Sequence, residues 1–174
     1  MPCFACLCTT ESLDAPRHCE LTNTFGLRAG NQMDTKEYLF VYGSLRNPSG
    51  LPKEMADLIS QCRRCGSAQV RGKLYDFSAY CGAVLDNNTS MIIYGDLLEL
   101  PTGDKVFDTL DRYEEIDPLS ELDSLFVRQE TQVHLGDGAI KEAWIYVYNK
   151  PTGDAPLIEG GDYQRHKTSQ RART

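Results

Sequence analysis

Two short stretches of the sequence carry residue types that could do chemistry: a Tyr-Gly-Ser-Leu turn at residues 42–45, and the glutamate Glu114. Successive unpaired backbone amides in such a turn form a concavity that suits a carboxylate or a developing oxyanion. Glu114 follows Leu110 and Phe107 at helical spacing, on the edge of a predicted apolar stripe. Partial burial there would raise its pKa toward the range useful for general acid–base catalysis. The alternative is an exposed glutamate in a fraying last helical turn.

Predicted strands and helices position these two stretches. The apolar run at 38–42 predicts a buried strand that ends at Gly43, where glycine allows the backbone to turn sharply. Helical spacing of apolar residues predicts helices over 53–62 and 105–115, the second with Asp104 as its N-cap. Further strands are predicted at 68–74, 91–100, 126–135 and 139–148, the last two joined by a turn at 136–138. This pattern is typical of an α+β domain whose sheet is curved or closed into a barrel.

Composition limits the class of protein. The chain has 174 residues, of which 41% are hydrophobic and 25% charged, and its net charge is −7. This length suits one domain with a full core, and the negative charge argues against binding to nucleic acid or an anionic membrane surface. No apolar run approaches the roughly 20 residues that cross a bilayer. Because the N-terminus lacks a signal-peptide pattern, we expect a cytoplasmic protein with free thiols.

The two ends of the chain differ from its middle. Residues 1–36 are predicted to be a poorly ordered, cysteine-containing extension, residues 37–166 the folded domain, and residues 167–174 a flexible basic tail. Met33 lies just before the first predicted strand, and its position suggests a natural start codon. These boundaries place all the candidate chemistry in the middle segment.

Seven cysteines raise the alternative of a zinc or redox protein. Four of them lie in the extension next to His18, but no second spaced pair completes a known zinc-ligand pattern. Cys62 and Cys65 fall at the C-terminal end of a predicted helix, whereas a reactive thiol pair needs the helix N-terminus to lower its pKa. We therefore expect no bound metal, and this alternative is the weakest.

A series of short motifs resembles one known family. In chain order they are Tyr42-Gly43-Ser44-Leu45, Gly72-Lys-Leu-Tyr75, Gly95-Asp-Leu-Leu-Glu-Leu100, Leu110-Asp111-Arg112-Tyr113-Glu114, Phe126-Val-Arg128, Ala143-Trp-Ile-Tyr-Val-Tyr148 and Ile158-Glu-Gly-Gly-Asp-Tyr163. Together, and in this order, they resemble the γ-glutamylcyclotransferase-like family, which includes AIG2-like and γ-glutamylamine cyclotransferase proteins. The resemblance covers about Tyr38 to His166.

The resemblance implies a fold, a reaction and a site. The fold would be a mixed β-barrel of about five to seven strands with two main flanking helices. The reaction would cyclise a γ-glutamyl group to 5-oxoproline by intramolecular aminolysis, releasing a free amine or amino acid without a cofactor. A small γ-glutamyl substrate would be the only partner of a monomer or weak homodimer. The site residues carried over are the substrate-binding loop of Tyr42, Gly43, Ser44 and Leu45, and the acid/base Glu114.

Arg128 is a further candidate for substrate binding, because it could add positive charge to the site. An ion pair with Asp111, Glu115 or Glu130 is an alternative use of its side chain. Glu115 stands where many relatives have glycine, Phe126 where many have tyrosine, and Cys81 where proline is frequent. These departures leave the substrate open. A non-catalytic small-molecule or protein-binding module on the same fold is the competing hypothesis.

Overall fold

The computed structural model describes residues 36–103 and 105–172. The N-terminal cysteines, the candidate start Met33 and the predicted cap Asp104 lie outside the described residues. Within those ranges the strands are β1 (Tyr38–Val41), β2 (Arg63–Asp76), β3 (Cys81–Leu85), β4 (Ile92–Glu99), β5 (Phe126–Leu135) and β6 (Ile140–Tyr148). The helices are α1 (Lys53–Gln61), α2 (Val106–Tyr113) and α3 (Tyr163–Arg171), with 3-10 turns at Ser44–Arg46 and Pro48–Gly50. None of the described helices is long and apolar enough to cross a membrane.

Five of the strands close into a barrel. Their order is β2-β4-β1-β6-β5, and β5 returns to pair with β2 where Ala68 lies opposite Leu135. The β1–β6 pair is parallel, while the other pairs are antiparallel, and β3 extends the sheet beyond β2. The predicted α+β mixed barrel is therefore confirmed, with one helix more than the two expected.

Strand β1 is buried on both of its faces. Phe40 packs into the cluster formed by the inward side chains of the strands, whereas Leu39 and Val41 pack with the apolar faces of α1 and α2. Such two-sided burial explains why the sequence of β1 is a continuous apolar run rather than an alternating one. The end of this strand, where the candidate loop begins, is thereby fixed by packing on two sides.

The C-terminal segment differs from the prediction. Residues 167–171, expected to belong to a flexible tail, form the second half of α3. The Asp162 side chain caps this helix by accepting hydrogen bonds from the amides of Gln164 and Arg165. Nε2 of His166 lies 2.8 Å from Oδ2 of the buried Asp76. Because α3 buries no residue fully and docks through polar contacts, apolar periodicity could not reveal it.

Gly160 and Gly161 lie in the turn that precedes α3, and together they give a matched test of how closely this turn approaches β4. A β-carbon at Gly161, whose φ is 62°, would lie 1.8 Å from the carbonyl oxygen of Ile92, whereas one at Gly160 would meet nothing within 4 Å. We expect Gly161→Ala to lower the free energy of unfolding by at least about 2 kcal/mol and Gly160→Ala to change it by less than about 0.5 kcal/mol. Urea denaturation of both variants measures the difference. Equal effects would contradict the close approach of the turn to β4.

Candidate active site

A cavity of about 480 Å³ lies where several candidate segments meet. Its walls come from the turn at residues 42–45, residues 79–81 at the start of β3, residues 113–115 at the end of α2, and the first residue of β5. Tyr146 of β6 and Tyr163 of α3 also line the cavity. The turn and Glu114 therefore border the same cavity. Substrate binding by the turn and proton transfer by Glu114, as predicted from the sequence, both require this arrangement.

Gly43 occupies the turn for a reason that the sequence did not reveal. Its φ is −108°, outside the left-handed region, so backbone freedom in that region does not explain the glycine. A β-carbon there would lie 3.1 Å from Sγ of Cys81, on the facing wall. Glycine thus relieves a tight contact, because any larger residue would push against the Cys81 side chain. The turn that follows is a 3-10 turn whose internal bonds start at the amides of Arg46 and Asn47, which leaves those of Ser44 and Leu45 without an intrahelical acceptor.

Arg46 anchors this turn to two distant parts of the chain. Its Nε donates to Oδ2 of Asp96 at 2.9 Å, and its Nη1 donates to Oδ1 of Asp162 at 3.3 Å. Asp96 in β4 is only 2% exposed, and Arg64 donates to its other oxygen at 2.7 Å. Buried charges are tolerated when they are paired and hydrogen-bonded in this way. The network therefore connects the turn, β4 and the start of α3.

Glu114 is positioned by a well-formed helix C-terminus. It is the C-cap of α2, and the next residue, Glu115, has φ of 57°. The amide of Ile116 donates to the carbonyl of Asp111 at 3.0 Å, and that of Glu115 to the carbonyl of Arg112 at 3.4 Å. These two bonds define a Schellman motif, in which the left-handed position usually holds glycine. A glycine here, as the family resemblance implies, would suit this left-handed position better than glutamate.

The Glu114 carboxyl has no hydrogen-bond donor or ion-pair partner among the described residues. The residue is half-buried because it borders the open cavity, while its carboxyl group is largely enclosed by protein. This burial, and secondarily the charge of Glu115, raises the pKa of Glu114 from 4.5 to about 8. An enclosed carboxyl without a partner is a common property of functional groups rather than structural ones.

Other polar groups of the cavity are held in fixed hydrogen bonds. The Tyr42 hydroxyl donates to the carbonyl of Tyr146 at 2.7 Å and accepts from the amide of Ala83 at 3.3 Å. The hydroxyls of Ser44 and Tyr113 lie 3.1 Å apart, which connects the turn directly to the end of α2. Sequence reasoning assigned no role to Tyr113, Tyr146 or Tyr163, although each lies inside one of the motifs quoted above.

Cys81 is the thiol that faces Gly43. Burial, together with the nearby charges of Glu114 and Asp76, raises the pKa of its thiol well above the ordinary value. A thiol kept protonated in this way is a poor nucleophile. The cavity therefore presents the carboxyl groups of Glu114 and Glu115, hydroxyls and backbone amides as its reactive and polar groups, rather than a thiolate.

Arg128 does not line the cavity, unlike the other candidate residues. Its Nη1 donates to Oδ1 of Asp111 at 3.0 Å, and its guanidinium lies 4.1 Å from the ring centroid of Phe107. Tyr146 also donates to Asp111, at 2.6 Å. The ion pair with Asp111, one of the three alternatives, is therefore confirmed. Arg128 lies behind the wall and is charge-balanced, so the geometry does not support a positive contribution to the site.

Comparison with known proteins identifies the class. A family model described as "Gamma-glutamyl cyclotransferase, AIG2-like" matches residues 39–165. This chain belongs to that family. Among proteins of known sequence, it is 29% identical over 126 residues to the γ-glutamylcyclotransferase family protein YtfP of Escherichia coli K12, across 72% of this chain and 94% of YtfP.

Solved structures agree with the fold. YkqA of Bacillus subtilis superposes with a TM-score of 0.59 and 23% identity, over 79% of this chain and 43% of that one. An AIG2-like protein from Mus musculus superposes with a TM-score of 0.54 and 17% identity, over 71% of this chain and 86% of that one. At these identities the likeness establishes a shared barrel architecture.

Replacing Arg46 tests whether the anchored turn contributes to stability. Arg46→Ala removes a partner from the buried Asp96, so we expect a loss of about 3 kcal/mol in the free energy of unfolding. The matched control is Arg112→Ala, because Arg112 pairs with Glu54 on the surface, with side chains 69% and 68% exposed. That variant should lose less than about 1 kcal/mol. Urea denaturation compares the two, and similar small losses would show that Arg64 alone satisfies Asp96.

The raised pKa of Glu114 predicts a pH dependence of stability. Between pH 4.5 and about 8, the unfolded chain releases this proton while the folded protein retains it, so folding loses stability as the pH rises. Glu114→Gln removes this contribution. The variant should therefore become more stable relative to the wild type as the pH rises through that window, with little difference below pH 4.5. Thermal unfolding curves at several pH values measure the difference, and a constant offset would contradict the assignment.

Proposed function

We propose that this protein cyclises the γ-glutamyl group of a small substrate to 5-oxoproline and releases the amine, with Glu114 as the general acid and base. The main support is the enclosed Glu114 carboxyl, which has no partner among the described residues and faces the same cavity as the turn at residues 42–45. Membership in the γ-glutamyl cyclotransferase, AIG2-like family supports the class of reaction.

The substrate itself supplies the nucleophile. The α-amino nitrogen forms a bond to the γ-carbonyl carbon and closes a five-membered lactam, while the bond from that carbon to the amide nitrogen breaks. The α-nitrogen gives up two protons as the ammonium becomes a lactam N–H, and the departing nitrogen takes up two and leaves as an ammonium. The enzyme must therefore orient the chain and transfer protons, and it needs no nucleophile of its own.

Glu114 suits the proton transfers. In its ionised form the carboxylate can accept a proton from the α-ammonium, and the resulting acid can donate to the departing nitrogen. A pKa of about 8 lets both forms interconvert readily near neutral pH. A well-placed acid/base typically contributes about 10²–10⁴-fold to the rate.

The turn at residues 42–45 suits the substrate's carboxylate or the developing tetrahedral oxygen. The amides of Ser44 and Leu45 begin a 3-10 turn and have no acceptor within it. Among the described lining residues none is basic, so amides and hydroxyls are the donors on offer. Ser44 and Tyr113 are joined at 3.1 Å, which holds the turn close to Glu114. Fixing the substrate in attack geometry between them could lower the barrier by several kcal/mol.

Replacing Glu114 tests the proposal. Glu114→Gln should lower kcat by about 10²–10⁴-fold while the dissociation constant of the substrate changes only a few-fold, because the amide keeps the shape but cannot carry protons. The assay follows 5-oxoproline release from a panel of γ-glutamyl amines and amino acids, with calorimetry for binding. In the wild type, kcat/KM should rise with pH around an apparent pKa near 8, and this rise should be absent from the variant.

Glu142→Gln is the matched control, because it makes the same change at an exposed position of β6 that does not line the cavity. Its activity should equal that of the wild type. Full turnover in Glu114→Gln would exclude Glu114 as the proton carrier. Binding of γ-glutamyl compounds by the wild type without release of 5-oxoproline would instead favour a non-catalytic binding module.

A further inference from the structure

Resting on the proposed function, we infer that the departing amine carries a second, positively charged amino group and no carboxylate, and that Glu115 selects it. The substrate would then be the γ-glutamyl derivative of a diamine rather than of an amino acid or peptide. The inference comes from the charges around the cavity and from the unusual backbone of Glu115.

The cavity wall carries acids without bases. Glu114 and Glu115 are the ionisable carboxyls among its described lining residues, and none of those residues is lysine, arginine or histidine. Much of the remaining wall is aromatic, including Tyr80 and Phe126, whose rings lie 5.9 Å apart in an edge-to-face pair. Faces of aromatic rings attract cations. A leaving group with a carboxylate would meet like charge and no compensating side chain.

Basic side chains near the wall are already matched by acids. Lys167 donates to the carbonyl of Ser78 at 2.9 Å and lies 3.9 Å from Asp76. Arg128 is paired with Asp111 behind Tyr146, and Arg46 with Asp96 and Asp162 behind the turn. These pairs contribute little net charge, so the potential in the cavity is set mainly by Glu115, with a smaller contribution from Glu114, which is largely protonated near neutral pH.

The chain that leaves the cavity adds further negative charge. Between Glu115 and Leu125, which both line the cavity, the segment contains Asp117, Glu121 and Asp123 and no basic residue. Negative charge on a segment that joins two lining residues raises the local concentration of cationic ligands and increases their association rate. This segment and the cavity wall thus carry the same sign of charge, which favours a cationic ligand.

Each of the two glutamates would contact a different half of the substrate, Glu114 the γ-glutamyl half and Glu115 the departing amine. The γ-glutamyl half brings an ammonium for Glu114 and a carboxylate for the amides of the turn. Glu115 is exposed at the cavity and remains available to the departing half. Its left-handed backbone, with φ of 57°, is a conformation in which glycine would be less strained. Such a costly conformation at a cavity wall suggests a functional use of the side chain.

Three substrates of equal length test the inference. They are the γ-glutamyl derivatives of a four-carbon diamine, of an uncharged alkylamine, and of an ω-amino acid. We expect kcat/KM to decrease in that order, with about threefold to fivefold between successive members at low salt, as expected for one partly exposed charge pair. Added salt should compress the differences, because it screens exposed charges.

Two variants of Glu115 locate the selectivity. Glu115→Gln removes the charge but leaves a non-glycine residue in the left-handed conformation. Glu115→Gly removes the charge and relieves that conformation as well. Each should bring the ratio of kcat/KM between the diamine and alkylamine derivatives close to one, whereas the control Glu142→Gln should leave it unchanged. Effects of the lost charge on Glu114 act on all three substrates and cancel in the ratio.

The outcomes separate this inference from the proposed function. Release of 5-oxoproline with equal rates for the three substrates, or with preference for the amino-acid derivative, would overturn the inference and leave the proposed reaction intact. A preference for the diamine that survives Glu115→Gln would overturn the role of Glu115. No release from any of the three would overturn the proposed reaction and the inference together.

Discussion

The ion pair between Arg46 and Asp96 fixes the geometry on which the candidate site depends. Asp96 is almost inaccessible, so its charge must be balanced by nearby cations, and Arg46 provides one directly after the turn. The same guanidinium reaches the cap of α3. Three segments that are distant in the chain are thereby joined by one side chain. The amides at the start of the turn can remain unpaired because this anchor, and not their own hydrogen bonds, holds the loop.

Glu114 shows how a reactive group can be placed at the end of a helix. The Schellman motif fixes its backbone, and the protein encloses its carboxyl while none of the described residues donates a hydrogen bond to it. Both features reduce stability: the enclosed carboxyl resists ionisation, and the next residue adopts a left-handed conformation that is unfavourable for glutamate. Functional sites commonly retain such locally unfavourable conformations when the packing around them is stable enough to hold them. Here that stability comes from the two-sided burial of β1 and the apolar contacts of α2.

Sequence patterns predicted most of the barrel and a part of the site. The alternation of apolar and polar residues in β2 and the continuous apolar run of β1 were sufficient to predict these strands, because both patterns follow directly from which side chains are buried. Strand β3 was not predicted, since a five-residue segment with a glycine at its second position carries no clear periodicity and depends on pairing with β2. Helix α3 escaped detection because its docking is polar. The role of Arg46 could not be found either, because its partners lie far along the chain and only folding brings them together.

The parallel pairing of β1 with β6 has a consequence for synthesis of the protein. Leu39 finds its neighbour Trp144 only after about 100 further residues have been added, which takes about 5–20 s on the ribosome. During that interval one edge of an apolar strand lacks its final neighbour, and exposed edges of this kind promote association between nascent chains. Folding of this barrel is therefore a late, long-range event, and protection by chaperones would matter most before β6 emerges.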